Sequence, residues 1–234
     1  MPGSFPNATT IIDIGGSIPV LQSCNGSSIS IFIYVTGFQP SSGSNTAIGY
    51  STGGGGIFSR ISLLIEPGSL NIYSDGTALD GGSPVIQNSG FVVPLNEWSH
   101  IVTVNDYLNS RQKIFLNGTS ISGPAAFGSP LTSATTVGNA AMPGEDNLSG
   151  SSVFCRIHDA RLYNRALSDA EILTIYNSLG TDDIVFGLQA RWELSELPSG
   201  TITTTTVKDT SVTKWPIRNV LGSPTYVTGI LRIP

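Results

Sequence analysis

Sixteen carboxylates, two histidines and two cysteines are the side chains in this 234-residue chain that could do acid–base, nucleophilic or metal chemistry. Their spacing assembles none of these. Cleaving a glycosidic bond takes two carboxylates facing one cleft, which a strand supplies only at even spacing. Glu193 and Glu196 stand three apart, on opposite faces of any strand there. Glu145-Asp146 sits beside Pro, Gly and Asn and reads as a solvated loop. Calcium, which takes several loop oxygens, is the alternative reading at that loop. His100 and His158 have no serine or cysteine in an elbow-like motif, so both are expected as partly exposed strand residues rather than bases. Cys24 and Cys155 match no zinc spacing, and their pairing stays open because disulfide geometry is specific. No catalytic, cofactor-binding or metal-ligating residue is assigned, and the chain is expected not to be an enzyme.

Binding chemistry has better candidates. Tyr50, Tyr73 and Tyr107 lie near turn residues and are expected to be exposed, where a ring could stack on a sugar. Asn7, Asn25, Asn117 and Asn147 each begin a glycosylation sequon, but the N-terminus has neither the basic nor the apolar region of a secretory signal. The net charge is −5 without a Lys/Arg cluster, which argues against nucleic acid as a partner. Apolar runs such as Ile29 to Val35 are far too short to span a bilayer.

The elements that would position these residues are mostly strands. Charged residues are 12% of the chain and hydrophobic residues 39%, and the latter fall in short alternating runs typical of folded β structure. Ile29 to Val35 reads as a buried strand, and Arg60 to Glu66 with Leu70 to Ser74 as a hairpin around Pro67-Gly68. Trp98 to Asn105 reads as a strand with a local irregularity. Lys113 to Leu116 and Thr119 to Ser122 flank Asn117-Gly118, a pair suited to the positive φ of a type I′ turn. Thr135 to Gly138 and Val153 to Tyr163 complete the series. Ser168-Asp169-Ala170-Glu171 then forms a capping box, with Leu167 and Ile172 at the staple positions. Ile172, Ile175, Tyr176 and Leu179 share one helical face, and Gly180 is the stop. Residues 181–234 return to β composition, including the threonine-rich run Thr201 to Thr206.

Three stretches resemble the laminin-G-like branch of the concanavalin A-like lectin/glucanase superfamily. They are Asn96-Glu97-Trp98-Ser99-His100, Ile114-Phe115-Leu116-Asn117-Gly118, and Asp159 to Ile172 with its Tyr163-Asn164-Arg165-Ala166-Leu167 turn. The resemblance runs from Ile11 to Ser178. It implies an all-β, two-sheet antiparallel jelly-roll sandwich with one short helix, spanning 1–180, and a β-rich extension over 181–234. It implies that Trp98 and Trp192 pack inside the sandwich. Arg161 and Arg165, near Asp159 and Asp169, are read as fixing the closing turn by hydrogen bonds. Gly187 to Glu196, Val207 to Ser211 and Gly222 to Val227 look like the opening segment of such a domain, so the tail either completes its own sandwich or lies on a neighbouring subunit.

Domains resembling this one occur in phage structural proteins. The expectation is therefore a non-enzymatic virion protein, a bacteriophage capsid decoration (cement) protein on the outer capsid surface. It would contact the major capsid protein or another virion protein as a homo-oligomer, with a trimer suiting a threefold position. The alternative is a lectin-like carbohydrate-binding module for host or glycan recognition. No cofactor is expected apart from the calcium reading at Glu145-Asp146.

Overall fold

The computed structural model describes residues 3–5, 11–15, 24–38, 45–53, 58–66, 69–76, 85–122, 125–126, 140–142, 153–195, 199–214, 217 and 219–227. The sequence-predicted strand at Thr135 to Gly138, the turn residues Pro67-Gly68 and the Glu145-Asp146 loop lie outside them.

Two antiparallel sheets make the fold. In chain order the strands are β1 (Gly3–Phe5), β2 (Ile11–Gly15), β3 (Gly26–Phe38), β4 (Asn45–Gly53), β5 (Phe58–Ile65), β6 (Asn71–Gly76), β7 (Val85–Val92), β8 (Trp98–Asp106), β9 (Arg111–Leu116), β10 (Thr119–Ser120), β11 (Ala125–Ala126), β12 (Ala140–Met142) and β13 (Val153–Tyr163). Helix α1 (Asp169–Ser178) follows, then β14 (Leu188–Trp192), β15 (Gly200–Thr201), β16 (Asn219–Leu221) and β17 (Thr225–Tyr226). One sheet runs β10-β9-β8-β3-β13-β1-β17-β15, with β11 beside β9 and β14 beside β13. The opposite sheet runs β16-β2-β12-β4-β5-β6-β7.

The alternation of β3 explains the layering. Ile29, Ile31, Ile33 and Val35 face the opposite sheet and join Leu63, Ile65, Ile72, Ile101, Ile114, Ile157 and Trp192 in the inter-sheet core. Phe32 points the other way and packs with Trp98, Val102, Val104, Phe115 and Tyr163 beneath Ile172 and Ile175 of α1. This sheet is therefore covered on both faces. That is why the irregularity expected in β8 is absent: β8 pairs with β3 in unbroken register from Gly26–Asp106 to Tyr34–Trp98, and apolar residues occupy both of its faces. Trp98 and Trp192 are both buried, but only Trp192 sits between the sheets; Trp98 lies under the helix.

The capping box forms as the spacing predicts. Ser168 Oγ accepts from the Glu171 amide while the Glu171 carboxylate accepts from the Ser168 amide, and α1 ends at Leu179 in the left-handed region. Asn117 and Gly118 both have positive φ, and Asn117 Oδ1 accepts from the His100 amide at 2.9 Å. The tail pairs into both sheets of its own chain: β14 lies beside β13, β17 beside β1 and β16 beside β2.

A buried ion network locks the chain where it leaves the helix. The Arg161 guanidinium donates to Asp159, to both carboxylate oxygens of Asp182 at 2.8 and 2.9 Å, and to the Gly180 carbonyl. Arg191 of β14 reaches the other Asp159 oxygen at 2.7 Å. Arg161 and its two carboxylates are nearly inaccessible to solvent. Burial would raise the Asp182 carboxyl, but the Arg161 hydrogen bonds win and hold it at about 2. Arg161 and Arg165 both hold the closing turn by hydrogen bonds as expected; the carboxylate that Arg165 holds is Glu171, which the capping box turns back toward it.

Candidate functional site

The helix-covered face of the first sheet is not filled to its end. Beyond Val104, where α1 begins, an open cavity of about 420 Å³ is lined by Val104, Asp106, Arg111, Lys113 and the segment from Arg165 to Asp169 with Glu171. Strand register places the floor. Asp106 stands opposite Arg111 and Val104 opposite Lys113, all on the helix-side face. The wall is the turn before α1, anchored by Ser28: its Oγ donates to the Arg165 carbonyl at 2.9 Å and accepts from the Leu167 amide at 3.0 Å. Gly26 makes this possible, since a Cβ there would stand 2.6 Å from the Ala166 nitrogen.

Two of the cavity's three cations are paired with carboxylates. Arg165 donates two hydrogen bonds to Glu171, at 2.6 and 2.9 Å. Lys113 bridges both oxygens of Asp169, at 3.0 and 3.3 Å. The Arg165 fork and the capping box together hold the Glu171 carboxyl down at about 2.

Phe186, 80% exposed, packs against Arg165 of the cavity wall. Its ring is braced by the Arg165 guanidinium, 5.2 Å from the ring centroid, and Arg165 Nε donates to the Phe186 carbonyl at 2.7 Å. Arg165 also lies 5.8 Å from the Tyr163 centroid, so it is clasped between two aromatic rings. Gly187, at φ +74°, leaves the room Arg165 occupies; a Cβ there would meet Arg165 Cγ and Cδ at 2.9 Å. The site therefore offers one exposed aromatic face beside a polar basin rich in donors and acceptors.

The residues singled out in the sequence lie elsewhere. Tyr107 corrects the expectation of exposure: it is 4% exposed, packed with Cys24, and its hydroxyl meets Ser27 Oγ at 3.4 Å. The chain re-enters the sandwich directly after β8, with the Tyr107 amide donating to the Asn25 carbonyl, and this carries the ring inside. Tyr50 is in β4 opposite Ile61; its side chain lies outside the described residues. Tyr73 is half-buried on the outer face of the opposite sheet, donating to Glu66 at 3.1 Å and accepting from Asn88 at 3.0 Å. Tyr73 and Tyr107 thus belong to different sheets and do not converge.

His100 is also corrected. It is fully buried, stacked on Phe32 at 4.4 Å and facing Tyr176 at 6.2 Å, with Nε2 2.8 Å from Ser30 Oγ. Burial, with nearby Arg161, drives its pKa down to about 3, against the weaker pull of Asp182. The helix that hides it is what the strand pattern alone does not show. His158 is half-buried. Cys24 and Cys155 are both buried and unbridged, Cys24 beside Tyr107 and Cys155 in the inter-sheet core. Glu193 follows the end of β14, and Glu196 lies outside the described residues. Phe186 was not singled out, although an exposed aromatic between Val185 and Gly187 just after a helix stop is a signal the sequence does carry.

A two-sheet antiparallel sandwich with its second face capped by a short helix is the lectin-like β-sandwich class. The chain belongs to the concanavalin A-like lectin/glucanases superfamily, whose laminin-G-type family model matches residues 12–173. A search of curated proteins finds no match. Among solved structures, the chain is similar to a candidate carbohydrate-binding protein from Bacteroides ovatus, at 17% identity and TM-score 0.64, over 95% of this chain and 57% of that one. The chain thus spans little more than half the length of that relative. It is also similar to the CBM40 of the Ruminococcus gnavus IT-sialidase bound to α2,3-sialyllactose, at 15% identity and TM-score 0.58, over 75% of this chain and 97% of that one. A heptameric pentraxin from Limulus polyphemus matches at 12% identity and TM-score 0.54, over 77% and 83%.

Proposed function

We propose that this protein is a non-catalytic carbohydrate-binding module and that the cavity at the start of α1 is its ligand site. The observation that carries this reading is Phe186, an exposed ring packed against Arg165, which itself lines a cavity of about 420 Å³ rich in charged hydrogen-bonding groups. Sugars present an apolar C–H face and a ring of hydroxyls, so a site for them needs an aromatic surface beside fixed donors and acceptors. Two of the structural relatives are described by their carbohydrate binding, which agrees with the reading. The test is a glycan array probed with the full chain and with Phe186→Ala. The expected result is binding to a defined glycan set that the variant loses while its thermal unfolding is unchanged. Equal binding by both would place the ligand elsewhere.

A second reading is adhesion within a virus particle, as a capsid decoration protein on the outer surface contacting a capsid protein. Leu108, Val185 and Val212, which are 72%, 60% and 95% exposed, are apolar groups available for it among the described residues. Because the tail strands pair within the chain, such adhesion would rest on loops rather than on strand exchange. The mass of the purified chain by analytical ultracentrifugation tests the oligomeric part: a stable trimer supports this reading, a monomer at high concentration opposes it.

A further inference from the structure

The charge arrangement of the cavity also selects among sugars. Its ionic lining consists of three cations, Arg111, Lys113 and Arg165, and three carboxylates, Asp106, Asp169 and Glu171. Formal charges balance, and two of the three cations are paired locally. Arg165 is engaged by Glu171 through two charge-assisted bonds, and Lys113 straddles Asp169. Arg111 stands opposite Asp106 in the register of β8 and β9, while the Asp106 carboxylate accepts from the Asn109 backbone and side-chain amides at 3.1 and 2.7 Å. At Lys113 or Arg165 an acidic sugar would have to displace Asp169 or Glu171 from its cation or lie beside it, at a cost in repulsion. A neutral diol faces no such competition. One hydroxyl can donate to a carboxylate oxygen while its neighbour accepts from Lys113 or a guanidinium N–H, so an existing ion pair becomes a bridge to the ligand without being broken.

We propose, on the basis of the carbohydrate reading above, that the cavity takes neutral, uncharged pyranosides and discriminates against sialylated, uronic and sulfated sugars. The Phe186 face supplies affinity for any pyranose; the matched ion pairs supply the discrimination. The opposite preference can be built by removing one carboxylate. Asp169 is the choice because its side chain is 64% exposed and Ser168, not Asp169, caps the helix. Asp169→Asn leaves Lys113 unmatched and gives the cavity one net positive charge.

The experiment titrates the full ¹⁵N-labelled chain with methyl glucoside, methyl galactoside, methyl mannoside, N-acetylglucosamine, N-acetylneuraminic acid and glucuronic acid, following amide shifts of Asp106, Arg111, Lys113, Ser168 and Phe186. Saturable shifts there with at least one neutral sugar, tighter by about tenfold or more than with either acid, support the proposal. Asp169→Asn should narrow or invert that ratio and weaken it again at high salt. Acidic sugars binding the cavity as tightly as neutral ones would overturn the charge selection while leaving the carbohydrate reading standing. No saturable shift at these amides with any sugar would overturn both.

Discussion

Arg161 and Arg165 stand four residues apart in the closing segment and each holds a carboxylate through two hydrogen bonds, yet their surroundings give them different work. Arg161 is enclosed between β13, β14 and the Gly180–Asp182 corner, with its partners equally enclosed. Arg165 and Glu171 are 19% and 29% exposed on the wall of an open cavity. A buried pair that loses one member leaves an unpaired charge in a low-dielectric setting, whereas a pair open to water does not. The first arginine therefore joins the tail to the sandwich, and the second is available to a ligand.

Mutation should separate them. Arg161→Ala is expected to lower unfolding stability by about 3–5 kcal/mol, because Asp159 and Asp182 are left buried without their cation; urea denaturation measures it. Arg165→Ala should cost about 1 kcal/mol or less but abolish sugar binding, since the Phe186 ring loses its brace and the cavity its wall. If the two variants were equally unstable, the division of labour would be wrong.

Acid sharpens the same contrast at His100, which lies beneath α1 near Arg161 and Asp182. The folded state holds this imidazole neutral down to about pH 3, while the unfolded state takes up its proton near 6.5. Between those values the unfolded chain binds more protons, so stability falls as pH drops from 6.5 toward 3. His100→Phe should flatten that slope in thermal melts taken across the window. Glu171 acts lower on the scale. Its folded pKa of about 2 lies below the ordinary 4.5, so its contribution is complete above 4.5 and is lost as pH falls toward 2. Glu171→Gln should remove this smaller, solvent-screened component. The smallest effect belongs to Lys113→Ala, about 0–1 kcal/mol from an exposed pair, with a measurable loss only in sugar affinity.

Local chemistry was the legible part of the sequence. Ser168 with Glu171, Asn117 with Gly118, and the alternation of Val153 to Tyr163 are short-range signals, and each forms the element its spacing implies. What sequence did not show is which face of a strand a later element covers. His100, Trp98 and Phe32 lie beneath α1, which begins 69 residues beyond His100, so exposure could not be read from β8 alone. The burial of Tyr107 likewise depends on a distant element, here β3, through Ser27. The candidate site was the least legible, because it is assembled from strand ends in β8 and β9, a turn anchored on Ser28, and an aromatic past the helix.

The central claim is tested most directly by a crystal structure of the full chain soaked with the neutral pyranoside that gives the strongest titration. The account predicts the sugar ring on Phe186 with its hydroxyls bonded to Lys113, Asp169 or Arg165. A sugar bound instead on the outer face of the opposite sheet, over Tyr73 and Asn88, would contradict it.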